Sequence, residues 1–218
     1  MEFKQLLLLS LRKPAYLPDL LGSLKLKLTT IIEGAVFIAA TTSLLNSFLD
    51  RLIFKSSENA SKLLENNSLS FIFYPLSMFA FELIFIITVM LSILFFSNFS
   101  KQKVSIEELG KNVLVLFLVA FVFKFIQAVL LFISIDLYYI FRFFEVLWFI
   151  WALSSVVVTL YQYKSVLLTA FLGAITVSLT MGFLFMIFVS IIQFFLVGSI
   201  SNCLLYTSPS PRDDRSSR

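Results

Sequence analysis

The chain has no histidine and a single cysteine, Cys203. Without imidazole there is no Ser-His-Asp triad and no His-ligated metal, and one thiol can build neither a disulfide nor a zinc cluster. Charge is scarce as well: Asp, Glu, Lys and Arg make up only 14% of 218 residues. The basic residues lie between apolar runs rather than in a patch that could follow a nucleic-acid backbone, so no nucleic-acid partner is expected. No polar stretch is long enough to make a soluble domain, and no internal repeat is evident. What fills the chain instead is oil. Hydrophobic residues are 59% of the total, 27 of them phenylalanine, and the mean hydropathy is +0.96. So little polar surface cannot cover a water-soluble globule, and lipid is the expected solvent.

Residues 203–218 break this pattern. The string CLLYTSPSPRD, from Cys203 to Asp213, can be back-translated into the transposon-end adapter used in sequencing-library kits. Residues 203–218 therefore resemble a translated adapter, are set aside as non-native, and imply that the natural C-terminus is missing. They hold three arginines against two aspartates, so removing them lowers the net charge from +4 to +3.

Crossing ~30 Å of hydrocarbon takes about 20 helical residues. Five stretches are long enough, at about 28–49, 71–96, 113–135, 137–160 and 166–197. The expected fold is therefore all-α, a polytopic transmembrane helical bundle of about five spans occupying residues 28–202. The fifth stretch exceeds what a span needs, so it must tilt, kink or extend past the bilayer; Gly173 and Gly182 inside it allow a kink or close packing, and a split into two re-entrant pieces is the less favoured reading. Ser178 and Gly182 make a small-xxx-small step, a close-packing device as often as a coincidence. Ser105, followed by Glu107 and Glu108, offers a capped helix start. Around Ser134-Ile135-Asp136 the connection is short enough to force a hairpin.

Residues 1–27 read as a cytoplasmic, interfacial segment. Met1 to Arg12 carries Phe3, Leu6, Leu7, Leu8, Leu9 and Leu11 with polar Glu2, Lys4, Gln5 and Ser10, too short to span and too apolar for water. Pro14 interrupts this amphipathic helix, and Pro18 with Asp19 can open another that leads into the first span. A cleavable signal peptide is disfavoured, because Arg12 and Lys13 follow the apolar run rather than precede it. An N-terminus in the cytoplasm puts nine basic residues inside (Lys4, Arg12, Lys13, Lys25, Lys27, Lys101, Lys103, Lys111, Lys164) against four outside (Arg51, Lys55, Lys62, Arg142). That bias follows the positive-inside rule.

The candidate site residues are the polar side chains inside the spans. Glu82 falls near the middle of the second span and Lys124 near the middle of the third. A lone charge there costs roughly 2.5–3.5 kcal/mol on insertion scales. Sequence neighbours in a bundle are commonly antiparallel, so Glu82 and Lys124 are expected to pair, with Gln127 one turn away sharing the contact. Arg142 and Glu145 lie on one face of the fourth span, nearer its outer end. Glu33 can reach the interface or Lys27, and Gln193 lies in the outer part of the fifth stretch. The pair reads either as an interhelical clasp, which is preferred, or as a proton or ion relay. Ser43, Thr88, Ser92, Ser154, Ser155, Thr169, Thr176, Ser178 and Thr180 lack an activating base and are expected to bond their own helices or neighbouring ones. Tyr74, Tyr138, Tyr139, Tyr161 and Tyr163 fit an aromatic belt at span ends. Trp148 and Trp151 need acceptors for their indole N–H groups. Neither enzymatic activity, cofactor nor metal is expected.

The leader Leu11-Arg12-Lys13-Pro14, then Leu20-Leu21-Gly22-Ser23-Leu24, followed by five spans, resembles the bacterial, α-proteobacterial branch of the Yip-domain family of Ypt/Rab-interacting membrane proteins. The resemblance covers residues 1–202 and implies a five-span inner-membrane protein with a cytosolic N-terminus. Eukaryotic members bind prenylated Rab GTPases in vesicle traffic. Their acidic-aromatic-glycine-proline motif is not met, because Asp19-Leu20-Leu21-Gly22 has neither Tyr nor Pro in place. No functional residue is carried over. The resemblance implies a non-enzymatic scaffold or membrane organiser in the bacterial inner membrane. Its expected partners are the lipid bilayer, other membrane proteins or further copies of this chain. The alternative is a small transporter, or a transporter's membrane subunit, using Glu82 and Lys124.

Overall fold

Long apolar runs without internal proline have one economical way to satisfy their backbone groups away from water, which is the α-helix. The computed structural model describes residues 3–56, 74–97, 100 and 103–206, and among them there are helices and no strand. Two short helices open the chain, α1 (Phe3–Arg12) and α2 (Leu17–Gly22), joined by one 3-10 turn at Pro14–Tyr16. Five long helices follow: α3 (Leu28–Ser56), α4 (Pro75–Ser97), α5 (Ile106–Ile133), α6 (Ile135–Tyr161) and α7 (Val166–Tyr206). Each of the five is long and apolar enough to cross a membrane. The protein is a multi-pass membrane protein with an all-α fold.

Several helix ends lie where local chemistry placed them. Ser105 caps α5, its Oγ accepting from the Glu108 backbone N–H at 3.1 Å, with Glu107 and Glu108 in the first turn. The hairpin turn is a single residue. Ser134 ends α5, its N–H donating to the Leu130 carbonyl at 2.9 Å, and its Oγ accepts from Asp136 N at 3.2 Å to cap α6. An extended Ser134 (φ −160°, ψ 136°) reverses the chain with no Gly or Pro. After α6 the chain turns through Gln162, which adopts the left-handed conformation at φ 53°. As expected, α2 opens with Pro18 and Asp19 in its first turn.

Some helices start or end away from the expected bounds. The third begins at Ile106, at the Ser105 cap expected for it and seven residues before the apolar stretch that starts at Val113. The fifth runs unbroken through Gly173 and Gly182 rather than splitting into halves. The expected start of the second span at Phe71, together with Lys62, Lys101 and the tail beyond Tyr206, lies outside the described residues, as does the Gln193 side chain.

The chain divides into two units, residues 1–177 and 178–218, with α7 running through the boundary. The second unit consists, among the described residues, of the remainder of α7. In the first unit α5 is the axis. It packs most extensively on α6 and then on α3, while α3 also carries α4, and α4 touches α5 much less. Two glycines let α3 and α5 approach. A Cβ at Gly34 would sit 3.0 Å from Leu114 Cδ2, and one at Gly110 would sit 3.0 Å from Ile31 Cγ2. Small residues at reciprocal notches are how helices pack closely in lipid. Phe85 of α4, Phe117 of α5 and Phe149 of α6 meet with centroids 5.0–6.3 Å apart and fill the centre.

The N-terminal segment belongs to this core. Leu17 and Leu21 are fully or almost fully buried, in one cluster with Leu109, Val156, Leu160 and Tyr161. Lys111, itself buried, donates from Nζ to the Leu21 carbonyl at 2.7 Å and to Leu24 at 3.4 Å. It thereby satisfies carbonyls at the C-terminus of α2, where the helix dipole favours a cation. At the other end of the segment, Trp148 Nε1 donates to the Leu11 carbonyl at 3.4 Å, which supplies its acceptor.

Candidate functional site: an intramembrane polar network

Charged side chains inside spans are the costliest residues in this chain, so their partners carry the chemistry. Counted at ~1.5 Å per residue, Glu82 lies ~10 Å from Pro75, Lys124 ~13 Å from Ile133 and Glu145 ~15 Å from Ile135. All three therefore occupy the half of the bundle nearer Ser134.

The expected Glu82–Lys124 pair does not form. Lys124 Nζ instead sits 2.9 Å from Glu145 Oε2, across the α5–α6 hairpin. The physical reason is packing. α4 and α5 follow one another along the chain, but α3 lies against both, and the helix most closely applied to α5 is α6. Gln127 was expected beside Lys124 and is there, fully buried. Its Nε2 donates to the same Glu145 oxygen, and its Oε1 accepts from Lys124 Nζ at 3.4 Å. Lysine, carboxylate and amide thus close a three-membered ring of charge-assisted bonds.

Glu82 has a neutral partner. Asn46 Nδ2 of α3 donates to Glu82 Oε1 at 3.0 Å. One turn further along α3 is Asp50, which sequence reasoning missed because it falls at the edge of the apolar run. Arg142 and Glu145, expected on one face, are used separately. Arg142 Nη1 donates to Tyr138 Oη at 2.8 Å while its guanidinium lies 5.9 Å from that ring's centroid. Arg142 and Lys124 lie within electrostatic reach of Asp50, and Lys124, Glu145 and Arg142 within reach of Glu82. Four helices thus bring polar side chains to this half of the bundle, with three carboxyl groups and two cations among the described residues.

No family model, no curated protein and no solved structure matches this chain. Its chemistry must be read from the residues themselves.

The other polar candidates are spent locally. Ser43, Ser154, Ser155, Thr169 and Thr176 each donate to a carbonyl three or four residues back on their own helix, at 2.6–2.9 Å. A hydroxyl so held is a poor nucleophile and a good helix-internal donor. Glu33 is exposed on α3. Among the described residues no group of three or more Asp, Glu, His or Cys could hold a metal ion.

Proposed function

We propose that the chain is a non-enzymatic scaffold or organiser of membrane proteins or lipids. We place it in the bacterial inner membrane with its N-terminus cytoplasmic, and regard it as similar to the Yip-domain type. The observation that carries this reading is the closed Lys124–Glu145–Gln127 ring. A relay for ions or substrates needs polar groups that change partners, whereas a cation and a carboxylate each engaged twice fix the register of two helices. The layout of the N-terminal leader and the five spans supports the family likeness, and the bias of basic residues supports the orientation. The test is capture of the tagged protein from its native membrane in mild detergent. A membrane protein or defined lipid recovered in stoichiometric amount supports the scaffold. Ion or solute flux in proteoliposomes that is lost in Glu82→Gln would overturn it.

One observation favours transport as the second reading: Glu82 is held by an amide and not by a cation. A transporter would then work through Glu82, beside the Lys124–Glu145 ring, rather than through a Glu82–Lys124 pair.

A further inference from the structure

We infer that Arg12 and Lys13 form a binding site for the headgroup phosphate of an anionic phospholipid, held against the flank of α6 deeper than the surrounding headgroups. The inference goes beyond the scaffold reading, because a transporter would hold such a lipid just as well. It starts from the path of the N-terminal segment. α5 begins and α6 ends on one side of the bundle. Lys111, five residues inside α5, holds the carbonyls of Leu21 and Leu24. Trp148, which holds the Leu11 carbonyl, is the middle residue of α6. At ~1.5 Å per residue these two anchors lie ~8 Å and ~20 Å from the helix ends on that side, so from Leu24 back to Leu11 the segment descends toward the bilayer centre. The Pro14–Tyr16 turn packs on α6 with Pro14 buried, which fixes the chain on both sides of Arg12 and Lys13.

Both side chains are exposed, and no acidic group among the described residues pairs with either. Lys13 Nζ lies 5.7 Å from the centroid of the Tyr16 ring, which is itself 56% exposed, so the ammonium faces outward from the bundle. Glu145, one turn from Trp148, already takes both Lys124 and Gln127. Two cations turned toward hydrocarbon without an anion are costly. Their long stems carry the charged heads back toward the interface, where the anion on offer is lipid phosphate. A phosphodiester tethered to two acyl chains meets them there while its chains lie along α6. Guanidinium takes phosphate oxygens through two parallel N–H bonds, and the ammonium adds a point charge. A free phosphate ion would have to leave water to reach the same place. A zwitterionic lipid brings its own cation and gains less from the site.

The chain carries its own reporter, since it has two tryptophans and Trp148 touches the segment beside the site. The test uses the full chain with Trp151→Phe, reconstituted in phosphatidylcholine vesicles. Quenching of Trp148 by phosphatidylglycerol with brominated acyl chains is compared with quenching by brominated phosphatidylcholine. Two basic side chains at the membrane predict a preference of about tenfold for the anionic lipid. With Arg12→Gln and Lys13→Gln together, the preference should fall to within about twofold of unity while the helical circular dichroism is kept. With Lys25→Gln and Lys27→Gln, which remove two exposed lysines further along the chain, it should persist. Equal quenching by the two lipids in the chain with both basic residues overturns the proposal, and that comparison stands even where the glutamine variant fails to assemble. A preference that survives Arg12→Gln with Lys13→Gln also overturns it, as does an equal loss with Lys25→Gln and Lys27→Gln. So does a preference erased by inorganic phosphate at constant ionic strength, the mark of a site for the free anion.

Discussion

Lys124, Glu145 and Gln127 show how one buried charge dictates its surroundings. Removing either member of an ion pair in a low-dielectric interior strands the other, and a stranded charge near mid-bilayer costs roughly 2.5–3.5 kcal/mol. An ordinary interhelical hydrogen bond in a membrane contributes only about 0.6 kcal/mol. Desolvation therefore dominates, and each of Lys124→Met and Glu145→Gln should destabilise the bundle by about 2–3 kcal/mol. The double variant should cost clearly less than the two singles combined. Reversible unfolding in mixed micelles measures the cycle. A different residue-scale effect sits outside the spans. Tyr163, in the connection after α6, has its phenol pushed up by burial. The folded state thus holds that proton more tightly than the unfolded chain. The associated stability is present below the ordinary tyrosine value of about 10 and lost as the pH rises through the folded one. Tyr163→Phe should flatten that alkaline limb, read by thermal unfolding across the same pH range.

At the scale of elements, close approach and capping decide which helices meet. Gly34 and Gly110 form reciprocal notches between α3 and α5. Gly110→Leu would drive a branched side chain into Ile31, and overpacking of this kind costs about 1–3 kcal/mol. Gly173→Leu should cost much less, because nothing lies within 4 Å of a Cβ there. Denaturation of the two variants side by side checks the contrast. The N-terminal segment depends on one side chain at its inner end: Lys111 holds the last carbonyls of α2. Lys111→Met removes the ammonium that ties the Leu21 and Leu24 carbonyls to α5. Hydrogen exchange over residues 17–24 should rise by tenfold or more while α5 and α6 keep their protection, as mass spectrometry would show.

For the whole molecule, the connections set which ends share a side. α5 begins and α6 ends together, and the Ser134 turn is opposite. In a Cys203→Ser background, single cysteines at Lys103 and Lys164 should react with a membrane-impermeant reagent from one side, and a cysteine at Asp136 from the other. With the N-terminus cytoplasmic, the first two should be protected in intact cells and the third labelled. Labelling of all three from one side would show that α5 and α6 do not cross.

Much of this architecture was legible beforehand because it depends on local quantities. Apolar run length foretold five helices. Ser105 with Glu107 and Glu108 foretold a cap, and the Ser134-Ile135-Asp136 turn foretold a hairpin. The need for a partner at Lys124 was legible too, since the cost of an isolated charge is a property of the residue and its depth. The identity of that partner was not. It depended on α3 packing against both α4 and α5, and on α6 lying along α5. Those contacts come from side-chain shape on faces that are apolar all round, where periodicity carries no direction. For the same reason the sequence did not show that Leu17 and Leu21, in the segment read as interfacial, lie within the core. Sequence alone determined that this chain crosses lipid and where it must bury charge. Only the tertiary structure decided which charges meet, because neighbours in a bundle are chosen by complementary surfaces and not by order along the chain.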